Sequence, residues 1–554
     1  MSKKFIIFFI LLAFAIRLFS GPDRFIFSYD QARDAFVSRG IIENRDIKII
    51  GPPAAVDREV TGAFHGPLFY YLISPFYVLS QGNPNAALFL MIFLNTITLI
   101  PLALLVQKLF KNKAVTLISL LLFTFSFEQH SYARWLSNPG PAIFFLSLFH
   151  LGLWQILDQP KSLWGWCLAP LGLSLAIQHQ LFLIFALPTS IFIILVLGKF
   201  PQKIKPYLIA ISTLTLGLSS FFVAELKFGF QMTKSLFLSL FTDLASSPQS
   251  TIEFLKYFLN HLSQTLMNNT LNINQPLAFC LFLLCLAVVF YSRKQLLKKD
   301  KKAVSFLLLL IFSQAVLFLF SELKAYFITL GMAMPIIILT SFSLVILFKK
   351  QKLVTVLLLV LIIATNLIKI VQVNQQTTPI FAIQENMTLE NEKKVIEACY
   401  RLVEDHPFSL NTVTNPFFIN TTWAYLFQWY GLSQSDYLPS WSGISQKGNL
   451  GEEIFPQEEN ETKLRILIIE PTYGVSKTWV EASLQEENLH SVVIKEEKIS
   501  FFTVQLRQKL SDQEKEEKLK EINLLRQKAL LSPQEKAFLH TYDLRKQAAK
   551  SGEH

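Results

Sequence analysis

The chain is poor in charge. Of its 554 residues only 16% are Asp, Glu, Lys or Arg, against about 25% in an ordinary soluble domain. A soluble chain of this length divides into domains of amphipathic helices, and the apolar runs found here are not amphipathic. Glycine is also scarce, at 20 residues against 51 phenylalanines. The four cysteines (Cys167, Cys280, Cys285 and Cys399) form no CxxC pair. That excludes a disulfide framework and a zinc ribbon. Repeats and low-complexity tracts are missing too. A cleavage site is absent as well: the charged start and the apolar core Phe5–Ser20 run straight through Arg17-Leu18-Phe19-Ser20-Gly21-Pro22-Asp23. A secretory signal ends in a small-x-small site, so this segment reads as an uncleaved first membrane span.

What is present is a series of long apolar runs, the signature of membrane spans. Eleven are expected, near 5–20, 84–106, 114–128, 139–157, 163–178, 181–198, 205–224, 276–292, 303–321, 326–347 and 353–371. Pro67–Leu79 is apolar but short, and Pro75 interrupts it. Crossing takes about 20 residues, so this stretch is expected to lie on the membrane surface. With it excluded and the N-terminus inside, Lys108, Lys111, Lys113, Lys161, Lys199, Lys203, Lys205, the 293–302 cluster and Lys349, Lys350 and Lys352 all fall on one side. That distribution obeys the positive-inside rule and accounts for the net charge of +11 without nucleic acid as a partner. The expected location is the plasma membrane, with the N-terminus cytoplasmic and the C-terminal part extracytoplasmic.

Three polar regions then face outward: the loops 21–83 and 225–275, and everything after 371. In the second loop Leu255, Phe258, Leu259, Leu262 and Leu266 have helical spacing with one apolar face. The last third changes character. Leu389–Glu404 and Val475–Glu486 read as helices, and Leu464–Glu470 and Val492–Lys495 as strands. The expected architecture is a mainly α, polytopic helical bundle over 1–371. A small extracytoplasmic α/β domain follows over 372–508, then a charged helical tail over 509–554, where Ser532-Pro533-Gln534-Glu535 resembles a capping box. Trp423, Trp429, Trp441 and Tyr437 are read as core of the small domain, with a sugar-stacking surface as the alternative. Asn-x-Thr patterns at Asn268, Asn386, Asn420 and Asn460 are too short to carry weight.

The first outer loop is dense in groups that can do chemistry. If 30–45 is helical, Asp30 and Asp34 share a face at i, i+4, with Arg33 beside them. Asp30 stands near the helix start, where a carboxylate is favoured either as a cap or as a functional group. Downstream come Ile50-Gly51-Pro52-Pro53 and Phe64-His65-Gly66-Pro67-Leu68-Phe69-Tyr70-Tyr71.

This order resembles the GT-C glycosyltransferases, which include protein mannosyltransferases (glycosyltransferase family 39), aminoarabinose transferases and the RgtA/B/C/D-like group. The resemblance rests on one span, an acidic residue (Tyr29-Asp30), a Pro67-Leu68-Phe69-Tyr70-Tyr71 surface helix and a second span. It continues in Arg134-Trp135-Leu136-Ser137-Asn138-Pro139, Gln178-His179-Gln180 and Glu225-Leu226-Lys227-Phe228-Gly229-Phe230, and covers roughly 1–370. It implies a membrane glycosyltransferase. Such an enzyme moves a sugar, with inversion, from a polyprenyl-phosphate donor to a lipid, glycan or protein acceptor on the outer face. Asp30, with Asp34, is implied as the base or acceptor-orienting carboxylate. Arg17, Arg33, His65, Tyr70, Arg134, Asn138, His179, Glu225 and Lys227 are implied around the donor phosphate or substrate. Arg17 also has the simpler reading of snorkelling to the interface.

The chain departs from the family pattern at two points. Asn138 stands where some relatives carry a second acid, and His65 where some carry a lysine. No cofactor is required by this reading; Mg2+ or Mn2+ stays open, with Asp30 as its ligand. The rival class is a transporter, flippase or polymerase for polyprenyl-linked glycans. Transporters show internal repeats and ionisable groups at mid-membrane, and neither is found in this sequence.

Overall fold

Apolar helices make up most of the chain from Lys3 to Gln376, and a five-stranded sheet lies in the last third. The computed structural model describes residues 3–19, 21–54, 63–235, 251–319, 325–376, 386–404, 406–456, 462–472, 475–518 and 520. Glu322–Lys324, Asn460 and the tail beyond 520 lie outside them. The chain divides into two compact units. One comprises Met1–Pro22, Ile41–Phe76 and Asn85–Gln375; the other comprises Asp23–Gly40, Tyr77–Pro84 and Gln376–His554.

In the first unit, six helices among the described residues are long and apolar enough to cross a membrane: Pro84–Phe110, Pro139–Asp158, Gln275–Ser292, Lys298–Phe318, Tyr326–Phe348 and Lys352–Val373. A seventh candidate is the pair Lys205–Gly217 and Ser219–Lys227, bent by 57°. The other four expected spans are shorter apolar helices. Lys3–Leu18 has 16 residues, Lys113–Phe125 has 13 and Leu163–His179 has 17, while Leu181–Phe185 is a 3-10 turn leading into Ala186–Leu197. Ser126 shows why one of them stops early. Its extended backbone ends the 113–125 helix, and its hydroxyl caps the next helix, Phe127–Ala133, by accepting from the Gln129 N–H at 3.2 Å. Lys352–Gln376 exposes Leu353, Leu357, Val360 and Ile368. Water would penalise such a surface and lipid does not. The chain is a membrane protein.

Leu68–Leu79 is a 12-residue helix containing Pro75. At about 1.5 Å per residue it reaches roughly 18 Å, short of the ~30 Å hydrocarbon core. Thr251–Asn269 forms the expected amphipathic helix. Phe258, Leu262 and Leu266 are buried, while Leu255 is left exposed. Phe258 and His261 both pack on Phe318, with ring centroids 6.2 and 4.9 Å apart.

The second unit carries β1 (Phe408–Val413), β2 (Ser440–Trp441), β3 (Leu464–Ile469), β4 (Ser491–Ile499) and β5 (Phe502–Lys509), in the order β2-β1-β3-β5-β4. The pairs β1–β2 and β1–β3 are parallel; β3–β5 and β4–β5 are antiparallel. Helices Leu389–Val403 and Lys477–His490 fall where the sequence placed them. Thr388 caps the first of these by accepting from the Asn391 N–H. Trp423 is fully buried and Trp441 stacks on Phe455 at 5.7 Å, so both belong to the packing of this unit. Asn268, Asn386 and Asn420 are buried, which leaves them closed to glycosylation.

Candidate functional site

Tyr29–Glu43 is helical, and Asp30 lies inside its first turn rather than ahead of it as a cap. Arg33 joins the two acids. Its Nη1 donates to Asp30 Oδ1 at 2.7 Å, and its Nε and Nη2 donate to Asp34 Oδ1 at 2.9 and 2.7 Å. The two carboxylates differ in access: the Asp30 side chain is 62% exposed, that of Asp34 4%. Asp34 therefore anchors Arg33, and Arg33 fixes the orientation of an open Asp30. The guanidinium takes the place a divalent ion would need between these acids, so they do not fit a two-carboxylate metal site in this geometry. Among the described residues no three His, Cys, Asp or Glu side chains converge to hold a metal.

In the membrane unit, Gly51-Pro52-Pro53-Ala54 and Ala63-Phe64-His65 are joined by a short antiparallel ladder. The Gly51 N–H donates to the His65 carbonyl at 2.8 Å, the His65 N–H to the Pro52 carbonyl at 2.9 Å and the Ala54 N–H to the Ala63 carbonyl at 2.8 Å. Both glycines allow close approaches here. A Cβ on Gly51 would strike the Gly66 carbonyl, and one on Gly66 would strike the Gln178 side chain. The ladder holds His65 buried, with Nδ1 accepting the Leu181 N–H at 3.0 Å. A neutral His65 then carries its proton on Nε2.

His65 and Glu225 line one cavity of about 390 Å3, whose other walls include Ile49, Ile50, Phe64, Phe221, Phe228 and Met232. Glu225 Oε1 accepts the Thr233 N–H at 3.0 Å. The space is largely apolar, with an acid and an imidazole as its only ionisable lining groups among the described residues.

The remaining candidates are placed as follows. Arg17 is fully buried and does not snorkel. Its Nε donates to Asn95 Oδ1 at 2.7 Å, and its guanidinium lies over Phe123 at 5.8 Å. Arg134 donates to the carbonyls of Arg17 at 3.0 Å and Gly21 at 2.7 Å, bracing the end of the first helix. Asn138 Nδ2 donates to the His179 carbonyl at 2.6 Å. His179 is buried and stacked on Phe145 at 5.4 Å. Tyr70 is buried beside Phe69. Lys227 is exposed, with its ammonium 5.5 Å from the centre of the Phe228 ring.

One cluster escaped the sequence reading. Glu128, 1% exposed, accepts from the Tyr326 hydroxyl and from Asn269 Nδ2 at 2.5 Å, and Asn268 Nδ2 donates to the same Tyr326 oxygen at 3.1 Å. Ser126 closes the network by donating to Asn269 Oδ1 at 2.8 Å. The available signal was an acid ending an apolar run, a placement that is costly unless used.

No family model matches the chain, and no curated protein matches it in sequence. Solved structures do match. ArnT from Cupriavidus metallidurans bound to undecaprenyl phosphate superposes with a TM-score of 0.54 at 10% identity, covering 91% of this chain and 98% of that one. Its apo form gives 0.53 at 9% identity, with the same coverage. This chain has the ArnT fold. The GT-C-like architecture implied by the resemblance is therefore the one it adopts. The Archaeoglobus fulgidus oligosaccharyltransferase in its apo form superposes with a TM-score of 0.46 at 12% identity, over 84% of this chain and 69% of that one.

Proposed function

We propose that the chain is a membrane glycosyltransferase that moves a sugar, with inversion, from a polyprenyl-phosphate donor to a lipid, glycan or protein acceptor. The observation that carries this reading is the ArnT fold, shared along nearly the whole length of both chains, with one of those structures holding undecaprenyl phosphate.

The chemistry asks for a base and for cations. Asp30 is the base: it takes the proton from the acceptor hydroxyl as that oxygen attacks the anomeric carbon. The bond from that carbon to the phosphate oxygen breaks, and polyprenyl phosphate leaves with the electron pair. Arg33, locked by Asp34, keeps the Asp30 carboxylate in one orientation. Lys227 supplies positive charge to the leaving phosphate; His65, its Nδ1 held by the Leu181 N–H, shapes the wall of the neighbouring cavity. Arg17 and Arg134 spend guanidinium hydrogens on Asn95 and on backbone carbonyls, which favours a bracing role over direct phosphate contact. Asn138 holds the His179 carbonyl and Tyr70 packs beside Phe69, which favours positioning roles for these residues. The apolar cavity beside His65 and Glu225 suits the prenyl chain next to the phosphate, and its carboxylate argues against the phosphate entering it.

In this reading the eleven expected segments cross, Lys113–Phe125 completing its passage through the Phe127–Ala133 helix that follows Ser126. The N-terminus is cytoplasmic, the loops 21–83 and 225–275 are outside, and 1–371 forms the catalytic bundle. The region 372–508 is an extracytoplasmic domain, followed by the tail 509–554. Cysteine labelling from outside is expected to reach positions 30–48 and 386–500.

The test of function is consumption of donor. Purified chain in lipid nanodiscs is incubated with polyprenyl-phosphate sugars and with nucleotide sugars. Release of polyprenyl phosphate from the first set, with no turnover of the second, is expected. Turnover of nucleotide sugars alone would overturn the assignment.

A further inference from the structure

The C-terminal unit holds a second cavity, of about 190 Å3, that the transfer reaction does not use. It lies at the ends of β1 and β2 against the helix Lys477–His490. Its walls bring together Asn411, Trp441, Ser442, Ser483, Glu487 and His490. The volume falls below the ~300–1,000 Å3 taken by drug-sized ligands. It suits one small ring.

The walls are fixed before any ligand arrives. Trp441 stacks on Phe455, interplanar angle 16°, and its Nε1 donates to the Ile444 carbonyl at 2.7 Å. Asn411 Nδ2 donates to Glu487 Oε2 at 2.6 Å. Glu487 Oε1 accepts from Arg465 Nη1 at 2.9 Å and from the Ser491 hydroxyl at 2.8 Å. Gln446, also in the wall, donates to the carbonyls of Phe418 and Ile444, both at 3.0 Å. Few rotamers are left to freeze, so binding loses little entropy.

The chemistry of the lining selects the ligand class. Among the described residues no lysine or arginine lines the space, whereas Glu486 and Glu487 do, so a phosphate or a carboxylate is disfavoured. A rigid indole on one side, with amide, hydroxyl, carboxylate and imidazole groups on the others, matches a neutral ring with an apolar face and a rim of hydroxyls. We propose that this cavity is a binding site for a single neutral sugar ring, separate from the transfer chemistry.

The test uses the full chain in nanodiscs and ligand-observed saturation-transfer NMR, with methyl glycosides of glucose, galactose, mannose and N-acetylglucosamine as probes. Saturation transfer to the ring protons of at least one glycoside is expected. It should fall at least tenfold in Ser483→Phe and in His490→Trp, which fill the space from the helix side. Melting temperatures check both variants, and either one that melts as wild type decides. Asp30→Asn is expected to keep the signal. No signal from any glycoside, an unchanged signal in a folded filled variant, or loss of the signal in Asp30→Asn would each overturn the proposal. So would preferential binding of a short acidic peptide.

Discussion

In the membrane unit, buried Arg17 and Arg134 donate to neutral acceptors: Arg17 to Asn95 and the Ala13 carbonyl, Arg134 to the carbonyls of Arg17 and Gly21. In the C-terminal unit, Arg465 and Arg507 are buried as deeply but converge on one carboxylate, Glu487, at 2.9 and 3.9 Å. The first arrangement uses a forked donor to tie chain ends that have lost their helical partners. The second holds three charges that need one another, since a buried ion without its counterpart costs several kcal/mol. The two units should therefore break differently.

The largest effect is expected at Glu487. Glu487→Ala leaves two buried guanidinium groups facing each other and should destabilise the C-terminal unit by about 3–5 kcal/mol. Denaturant unfolding followed by tryptophan emission measures it, and a change below about 1 kcal/mol would show that the three charges do not depend on one another. A smaller effect is expected at Arg134. Lysine keeps the charge but cannot fork to two carbonyls, so Arg134→Lys should cost roughly 1.5–3 kcal/mol. Lysine performing as well as arginine would mean that charge, not the brace, matters at this position.

The smallest effect sharpens the comparison by exception. Glu392 is fully buried, and neither carboxylate oxygen has a hydrogen-bond partner among the described residues. Burial first, and then the nearby Glu470, push its pKa well above the ordinary value. Burial likewise raises Glu470 to about 8, against the opposing hydrogen bonds from the Asn415 N–H and Trp423 Nε1. Both carboxyls ionise near 4.5 when unfolded. The folded chain thus binds more protons than the unfolded one between about pH 4.5 and 8. Stability from this pair is fullest below that window and is lost as pH rises through it. Glu392→Met should raise the melting midpoint, by about 1–3 kcal/mol of stability at pH 8 and by less at pH 5. An equal gain at both values would show that the acid is already ionised when folded.

Much of this was legible in the sequence where local pattern decides structure. The demotion of Pro67–Leu79 followed from its length and Pro75, and the pairing of Asp30, Arg33 and Asp34 from helical spacing. What stayed hidden depends on distant partners. Phe408–Val413 reads Phe-Ser-Leu-Asn-Thr-Val, too polar for a confident strand, yet it lies inside the sheet because it pairs in parallel with a segment more than fifty residues away. Phe502–Lys509 contains Gln505 and Arg507, which look solvent-facing; both are buried because Arg507 reaches Glu487, Ser491 and Gln505 itself. Arg134 looked like a free phosphate ligand because no sequence pattern reveals a carbonyl acceptor. The motifs at Gly51 and His65-Gly66 were visible, but the ladder joining them was not.

The transfer assay on Asp30→Asn, compared with Asp34→Asn and wild type, bears most directly on the central claim. Asparagine keeps the size and the hydrogen bond from Arg33 but cannot take a proton. Loss of sugar transfer by about 10²–10⁴-fold is expected for Asp30→Asn. Donor binding should be retained, and a smaller loss is expected for Asp34→Asn, which only loosens Arg33. Full transfer by Asp30→Asn would contradict its role as the base.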